Sequence, residues 1–237
     1  LTSAVAHNTA VLIFASQSAR DVVKKRMPQA HQLFDTFTSQ TIDLVKRAGL
    51  SYVLHQDKDQ KGTSFGSKFE HAIQSVFDQG YERVITIGND TPGLCVTHIK
   101  KALSNFEQNK VTLGPSKDGG FYLLGIDDSA FAKARTSTTS DSGFRNLSWQ
   151  KKSLLEAFVT QLKSYGCNIT LLESLQDIDG VQDVKKILEH SDKLNVHIIL
   201  SLREFFISES QAVIMRTIQV QEVYKKIFLN KGSPLAA

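Results

Sequence analysis

At 237 residues, 41% of them hydrophobic and 22% charged, the chain can bury a sizeable core and is too apolar to be disordered over most of its length. Its formal charge of +4 comes from basic residues spread along the sequence. That suits small anions and argues against nucleic acid, which calls for a concentrated basic face. The two cysteines, Cys95 and Cys167, lack metal-ligand spacing to each other or to a histidine, so a reducing compartment is the expectation.

The opening, LTSAVAHNTAVLIFA, has no basic n-region, so no signal peptide is expected there; no stretch has the apolar length of a membrane span. A cytoplasmic protein is expected. Residues 10–15 (AVLIFA) read as a strand buried on both faces, and SQSARDVVKKRM after it as a polar turn reaching Lys24, Lys25 and Arg26. Residues 31–48 set Phe34, Phe37, Thr41, Leu44 and Val45 on one helical face, with Gly49 as the stop. A strand over 50–55, a helix over 68–79 and a strand over 83–88 follow. Residues 92–106 carry Val96, Ile99, Leu103 and Phe106 at helical spacing. Two strands, 111–114 and 121–126, flank Asp118-Gly119-Gly120, a strong hairpin signal. Residues 127–146, rich in Ser, Thr and Asp, read as the longest loop. A helix over 150–165, a strand over 168–173 and a helix over 181–188 complete the alternation, which argues for an α/β fold with a largely parallel sheet. Past residues 189–195 the rhythm stops. The expectation is therefore an α/β domain over 1–190 and a mainly helical extension over 191–237, packed on the core or on a second copy of the chain.

No Walker loop and no G-x-G-x-x-G follows the first strand, so P-loop and dehydrogenase chemistry are poor readings. The strand over 83–88 runs into Asp90, and ligands in open α/β sheets gather at the carboxyl ends of strands. Asp90 there is either part of a helix entry with Thr91 and Pro92 or a carboxylate that holds a divalent cation against a phosphate. Lys24, Lys25 and Arg26 are either a solvated basic turn or the cations that neutralise a diphosphate. Asp118 with Gly119 and Gly120 makes a hairpin, or a close approach to a ligand with Asp118 bonding a hydroxyl. Asp177 and Asp179 cap a helix, or one of them faces Asp90 as a second carboxylate. Trp149 packs in the core or stacks on a ligand.

GNDTPGL (88–94), LGPSKDGGFYLLG (113–125), the lone Trp149 and LQDIDGVQDV (175–184) occur in the order of one family. Across residues 10–188 the chain resembles the bacterial DUF2064 family of GT-A-fold, glycosyltransferase-like proteins, akin to nucleotide-diphospho-sugar transferases and to molybdenum-cofactor guanylyltransferases. The resemblance implies a three-layer α/β/α sandwich binding a nucleotide at the carboxyl edge of its sheet. It implies Mg²⁺ or Mn²⁺ held by Asp90 and Asp179, with Asp90 and Asp118 catalytic. Lys24, Arg26, Ser16 and Gly66 would face the nucleotide and its phosphates; Gly119, Gly120 and Trp149 would line the pocket for the sugar or for a small-molecule acceptor. Two departures stand out. The first loop carries Ser18-Ala19-Arg20-Asp21 where the family has Pro and Gly, which makes backbone approach to a phosphate harder. Residues 63–69 carry Ser64 in place of a carboxylate and Lys68 in place of an arginine. The resemblance implies transfer from a nucleotide-diphosphate sugar, with nucleotidyl transfer or non-catalytic nucleotide-sugar binding as the alternatives.

Overall fold

The computed structural model describes residues 3–135, 144–149, 151–192 and 194–229. After one helical turn, α1 (Ser3–His7), the chain forms β1 (Thr9–Phe14), α2 (Ser18–Lys24), α3 (His31–Ala48), β2 (Ser51–His55), α4 (Phe65–Phe77), β3 (Arg83–Ile87) and α5 (Val96–Phe106). Then come β4 (Lys110–Pro115), β5 (Phe121–Asp127), α6 (Asp128–Arg135), α7 (Leu154–Ser164), β6 (Asn168–Leu171), α8 (Val181–Glu189) and α9 (Val196–Leu229). Six strands make one sheet in the order β2-β1-β3-β5-β4-β6. Only β5 runs against its neighbours. The tight turn between β4 and β5 forces that pairing, whereas parallel neighbours need a crossover.

This is the α/β/α sandwich that the family resemblance implies, built on the largely parallel sheet that the alternating pattern predicts. In β1, Ala10 and Leu12 enter the core beneath α4, α6 and α7, while Val11 and Ile13 enter the core beneath α3 and α5. The apolar run thus reads as a strand covered on both faces. In α3, Phe34, Phe37, Thr41, Leu44 and Val45 are all buried, and Gly49 ends the helix at φ 75, where only glycine is unstrained.

Some boundaries moved for local reasons. The helix expected over 92–106 begins at Val96, because residues 91–94 close a turn from Leu94 N–H to the Thr91 carbonyl. The helix expected from 68 begins at Phe65, capped by Ser64, whose hydroxyl accepts from Ser67 N–H at 3.2 Å. The helix expected from 150 begins at Leu154; residue 150 itself lies outside the described residues. The turn expected over SQSARDVVKKRM contains α2, held down by Val22 and Met27 in a third core shared with α3, α8 and α9. The loop expected over 127–146 opens with α6, and its 136–143 segment, including STTSDSG, lies outside the described residues.

The 34-residue α9 accounts for the helical tail. Its first turns bury Ile198, Leu202 and Phe205 against α3 and α8, while Ile207, Val213, Ile214, Met215 and Ile218 are exposed farther along. Among the described residues no helix is long and apolar enough to cross a membrane.

Candidate functional site

A cleft of about 630 Å³ opens at the carboxyl edge of the sheet, lined from the ends of β1 (Phe14, Ser16) and β3 (Ile87, Asp90). β2 lies on one side of β1 and β3 on the other, so this edge is where the strand order reverses. Helices leave adjacent strands in opposite directions there, and a crevice is left between them.

Behind Asp90, beneath the lining of the cleft, lies Lys25, the residue after α2, with its side chain 3% exposed. Arg26, at φ 54, breaks the helix and turns outward, whereas Lys25 points in. The Lys25 ammonium donates to Asp90 Oδ2 at 2.7 Å and to the Ile178 carbonyl. It stands 3.6 Å from Asp179 Oδ1 and over the Phe34 ring, 5.5 Å from the centroid. Burial works to raise the Asp90 carboxyl, but the Lys25 charge and hydrogen bond outweigh it and hold it below the usual value. Burial works against the Lys25 charge too; Asp90, then Asp179 and Asp21, hold it above the ordinary lysine value.

Two further carboxyl groups line the cleft. Asp177 is pushed up to about 7 by burial and by Asp90, although the Thr91 hydroxyl donates to it at 2.5 Å and partly offsets the shift. Thr91 is therefore tied to Asp177 and does not cap α5. Asp21, buried in α2, is raised from 3.8 to about 6, mainly by burial, with Lys25 lowering it and Asp90 raising it. A carboxyl raised in the folded state stabilises the fold at acid pH, and that contribution is lost as pH rises from about 4 through about 6. Asp21→Asn should accordingly match the parent in thermal stability at pH 4 and exceed it at pH 8, by roughly 2–3 kcal/mol. Paired melting curves at the two pH values check this, and an equal offset at both would count against it.

Along the cleft stands an aromatic wall. Phe65, 41% exposed, packs against Trp149 at 4.8 Å between centroids, with Phe14, Phe69 and Phe121 behind. The Trp149 indole donates to the Phe144 carbonyl at 2.6 Å, which fixes the ring while leaving a face on the cleft. Arg20, Lys24, Lys68 and Lys151 line the same space. Thr86 borders it too, and its Oγ1 is buried without a hydrogen-bond partner among the described residues. In the β4–β5 turn, Asp118 Oδ1 accepts from Ser116 Oγ and from Gly120 N–H at 3.0 Å.

A family model described as "Uncharacterized protein conserved in bacteria (DUF2064)" matches residues 7–150, more than half of the chain. The chain belongs to this family. Among solved structures it is similar to a candidate nucleotide-diphospho-sugar transferase from Desulfovibrio desulfuricans G20, at 22% identity and a TM-score of 0.67, over 83% of this chain and 94% of that one. At that identity the likeness establishes the fold. Looser likenesses reach a candidate glucose-1-phosphate thymidylyltransferase from Bacillus anthracis (10% identity, TM-score 0.41, 79% of this chain and 96% of that one). They also reach Rv0371C from Mycobacterium tuberculosis H37Rv in complex with manganese (13% identity, TM-score 0.39, 76% and 97%). No curated protein matches.

Of the residues that the DUF2064 resemblance singles out, Ser16, Lys24, Asp90, Asp118, Gly120, Trp149 and Asp179 line one cleft. Arg26, Gly66 and Gly119 do not line it. Arg26 is exposed. Gly66 is packed against the Phe144 carbonyl and the Trp149 indole, where a Cβ would come within 2.2 Å of the former. Gly119 lies against the Lys152 backbone.

The fit of Mg²⁺ or Mn²⁺ to Asp90 and Asp179 can be judged from their surroundings. A divalent ion wants several oxygen donors converging at about 2.0–2.6 Å. Here the gap between the two carboxylates is filled by an ammonium, and among the described residues no three His, Cys, Asp or Glu side chains gather to hold a metal. The pair as arranged fits lysine and does not fit a divalent ion.

One feature of the site, and one of the neighbouring start of α5, escape sequence reasoning. Of three consecutive cations, Lys25 is the buried one, and nothing in KKR marks it. Cys95 and His98 are also more than packing residues. Cys95 N–H donates to His98 Nδ1 at 3.1 Å, the thiol lies 3.0 Å from the same nitrogen, and His98 Nε2 meets Glu173 Oε1 at 2.9 Å. The i, i+3 spacing of an N-cap and its capping-box partner was the available signal.

Proposed function

We propose that this protein binds a nucleotide-diphosphate sugar in the cleft and transfers the sugar to a small-molecule acceptor. One observation carries the reading: a crevice at the strand-order reversal joins an exposed aromatic face to a row of cations. An aromatic face takes a base by stacking, worth about 1–3 kcal/mol per base. Phe65 and Trp149 are the residues for it. Arg20, Lys24 and Lys68 are the charges for the diphosphate, Arg as a fork and Lys as point charges. In sugar transfer the bond from the anomeric carbon to the diphosphate breaks while the acceptor oxygen bonds to that carbon. Negative charge then grows on the departing nucleoside diphosphate, where fixed cations act most strongly. Asp118 is suited to orient the sugar or acceptor hydroxyls. Asp177, with its carboxyl near neutrality, is suited to take the acceptor's proton.

Titration calorimetry with a panel of nucleotide-diphosphate sugars tests the proposal. Binding of at least one member is expected, and Phe65→Ala should weaken it by about tenfold, the lower part of the stacking range. A panel that leaves both proteins inert, in calorimetry and in thermal shift, would end this reading. Release of pyrophosphate from a nucleoside triphosphate would move the activity to nucleotidyl transfer instead.

A further inference from the structure

We propose that Lys25 is the resident cation of the site, filling the place between Asp90 and Asp179 so that the cleft takes its diphosphate ligand without a divalent metal. The choice of ligand rests on the nucleotide-sugar reading above; the exclusion of metal rests on the geometry alone.

Three features carry the inference. The position is built. Lys25 has three N–H donors: one goes to Asp90 Oδ2 at 2.7 Å, one to the Ile178 carbonyl, and Asp179 Oδ1 lies 3.6 Å off on the remaining side. Its side chain is 3% exposed and its charge lies over the Phe34 ring, so it is not a surface lysine caught in passing. The charge is also committed. A metal bound to Asp90 and Asp179 would sit beside an ammonium 2.7 Å from the first carboxylate and 3.6 Å from the second, and like charges that close repel each other. Finally, the task of neutralising phosphate is covered otherwise, because Arg20, Lys24, Lys68 and Lys151 all line the cleft. Lys25 would act as the fixed positive charge on which the carboxylates are ordered, and the lining cations would meet the ligand's oxygens.

The test follows Mn²⁺ directly, by loss of the free-ion paramagnetic resonance signal, in titrations with and without a nucleoside diphosphate. Wild-type protein should remove no free Mn²⁺ in the first titration and none beyond what the nucleotide alone removes in the second. Any nucleoside diphosphate that binds should do so equally, within about twofold, in EDTA and in Mg²⁺ once complexation in solution is subtracted. Lys25→Ala should free the two carboxylates and raise Mn²⁺ affinity at least tenfold over wild type, and adding Asp90→Asn should abolish the gain. One Mn²⁺ bound per wild-type chain, alone or with the nucleotide, and lost in Asp90→Asn would overturn the inference, as would a folded Lys25→Ala protein with no gain. If Lys25→Ala fails to fold, the wild-type titration with Asp90→Asn decides by itself. If no nucleotide binds, the functional reading falls, and the Mn²⁺ titrations still decide the role of Lys25.

Discussion

Gly119→Ala is expected to lower the melting temperature by roughly 4–20 °C, at about 2–4 °C per kcal/mol for a chain of this size. Two independent penalties add. The residue sits at φ 95, a left-handed conformation costing a side-chain-bearing residue about 1–2 kcal/mol. A Cβ there would also lie 2.1 Å from the Lys152 carbonyl oxygen, a backbone atom that no rotamer change can move. Overpacking of this kind costs about 1–3 kcal/mol. Relief would require the β4–β5 turn to part from the start of α7, where Leu155 N–H donates to the Gly119 carbonyl at 2.9 Å. Both Asp118 and Lys151 would shift with it, so nucleotide-sugar affinity should fall together with stability. Scanning calorimetry and ligand titration of the variant read the two effects. A melting point within about 2 °C of the parent would show that the chain near 152 yields freely.

Phe144→Ala should be at least as damaging to stability, by about 3–5 kcal/mol. Its ring is fully buried, 5.5 Å from Phe131, 5.3 Å from Phe158 and 5.9 Å from Phe69, so it joins α6, α7 and α4 at one point. Its carbonyl also accepts the Trp149 indole hydrogen. Removing the ring leaves a cavity that three helices would each have to move to close, and they are anchored on the sheet. Chemical denaturation gives the loss directly. A change below about 1 kcal/mol would mean that the 144–149 segment contributes little to the core, contrary to its burial.

Phe144 also shows where sequence reading stops. It falls in a polar stretch with no periodicity, so nothing near it announces a core residue; its burial follows from the surfaces of three helices outside that stretch. The helix α2 is similar. SARDVVK has a weak apolar face, and Val22 and Met27 find a core only because α3, α8 and α9 assemble one around them. By contrast α3, α4 and α7 were legible, because Phe34 to Val45, Phe69 to Phe77 and Leu154 to Leu162 repeat at helical spacing.

The site divides along the same line. That Asp90, Asp118, Gly120 and Asp179 belong to one edge followed from their positions at strand ends and from the family blocks that carry them. Which polar groups satisfy one another did not. Thr91 reads as part of a helix entry and instead donates to Asp177; Cys95, which reads only as a cysteine without metal-ligand spacing, holds the start of α5 with His98.

What the amino-acid order alone determined is the alternating α/β architecture, the helical tail and the family, since periodicity and short motifs are local properties. What only the assembled structure decided is the charge arrangement. Successive residues at a helix end point about 100° apart, so Lys24 lines the cleft while Lys25 turns inward, and Arg26, leaving the helix at φ 54, meets solvent. The direction depends on where α2 docks. Burial then converts an ordinary lysine into the cation that holds Asp90.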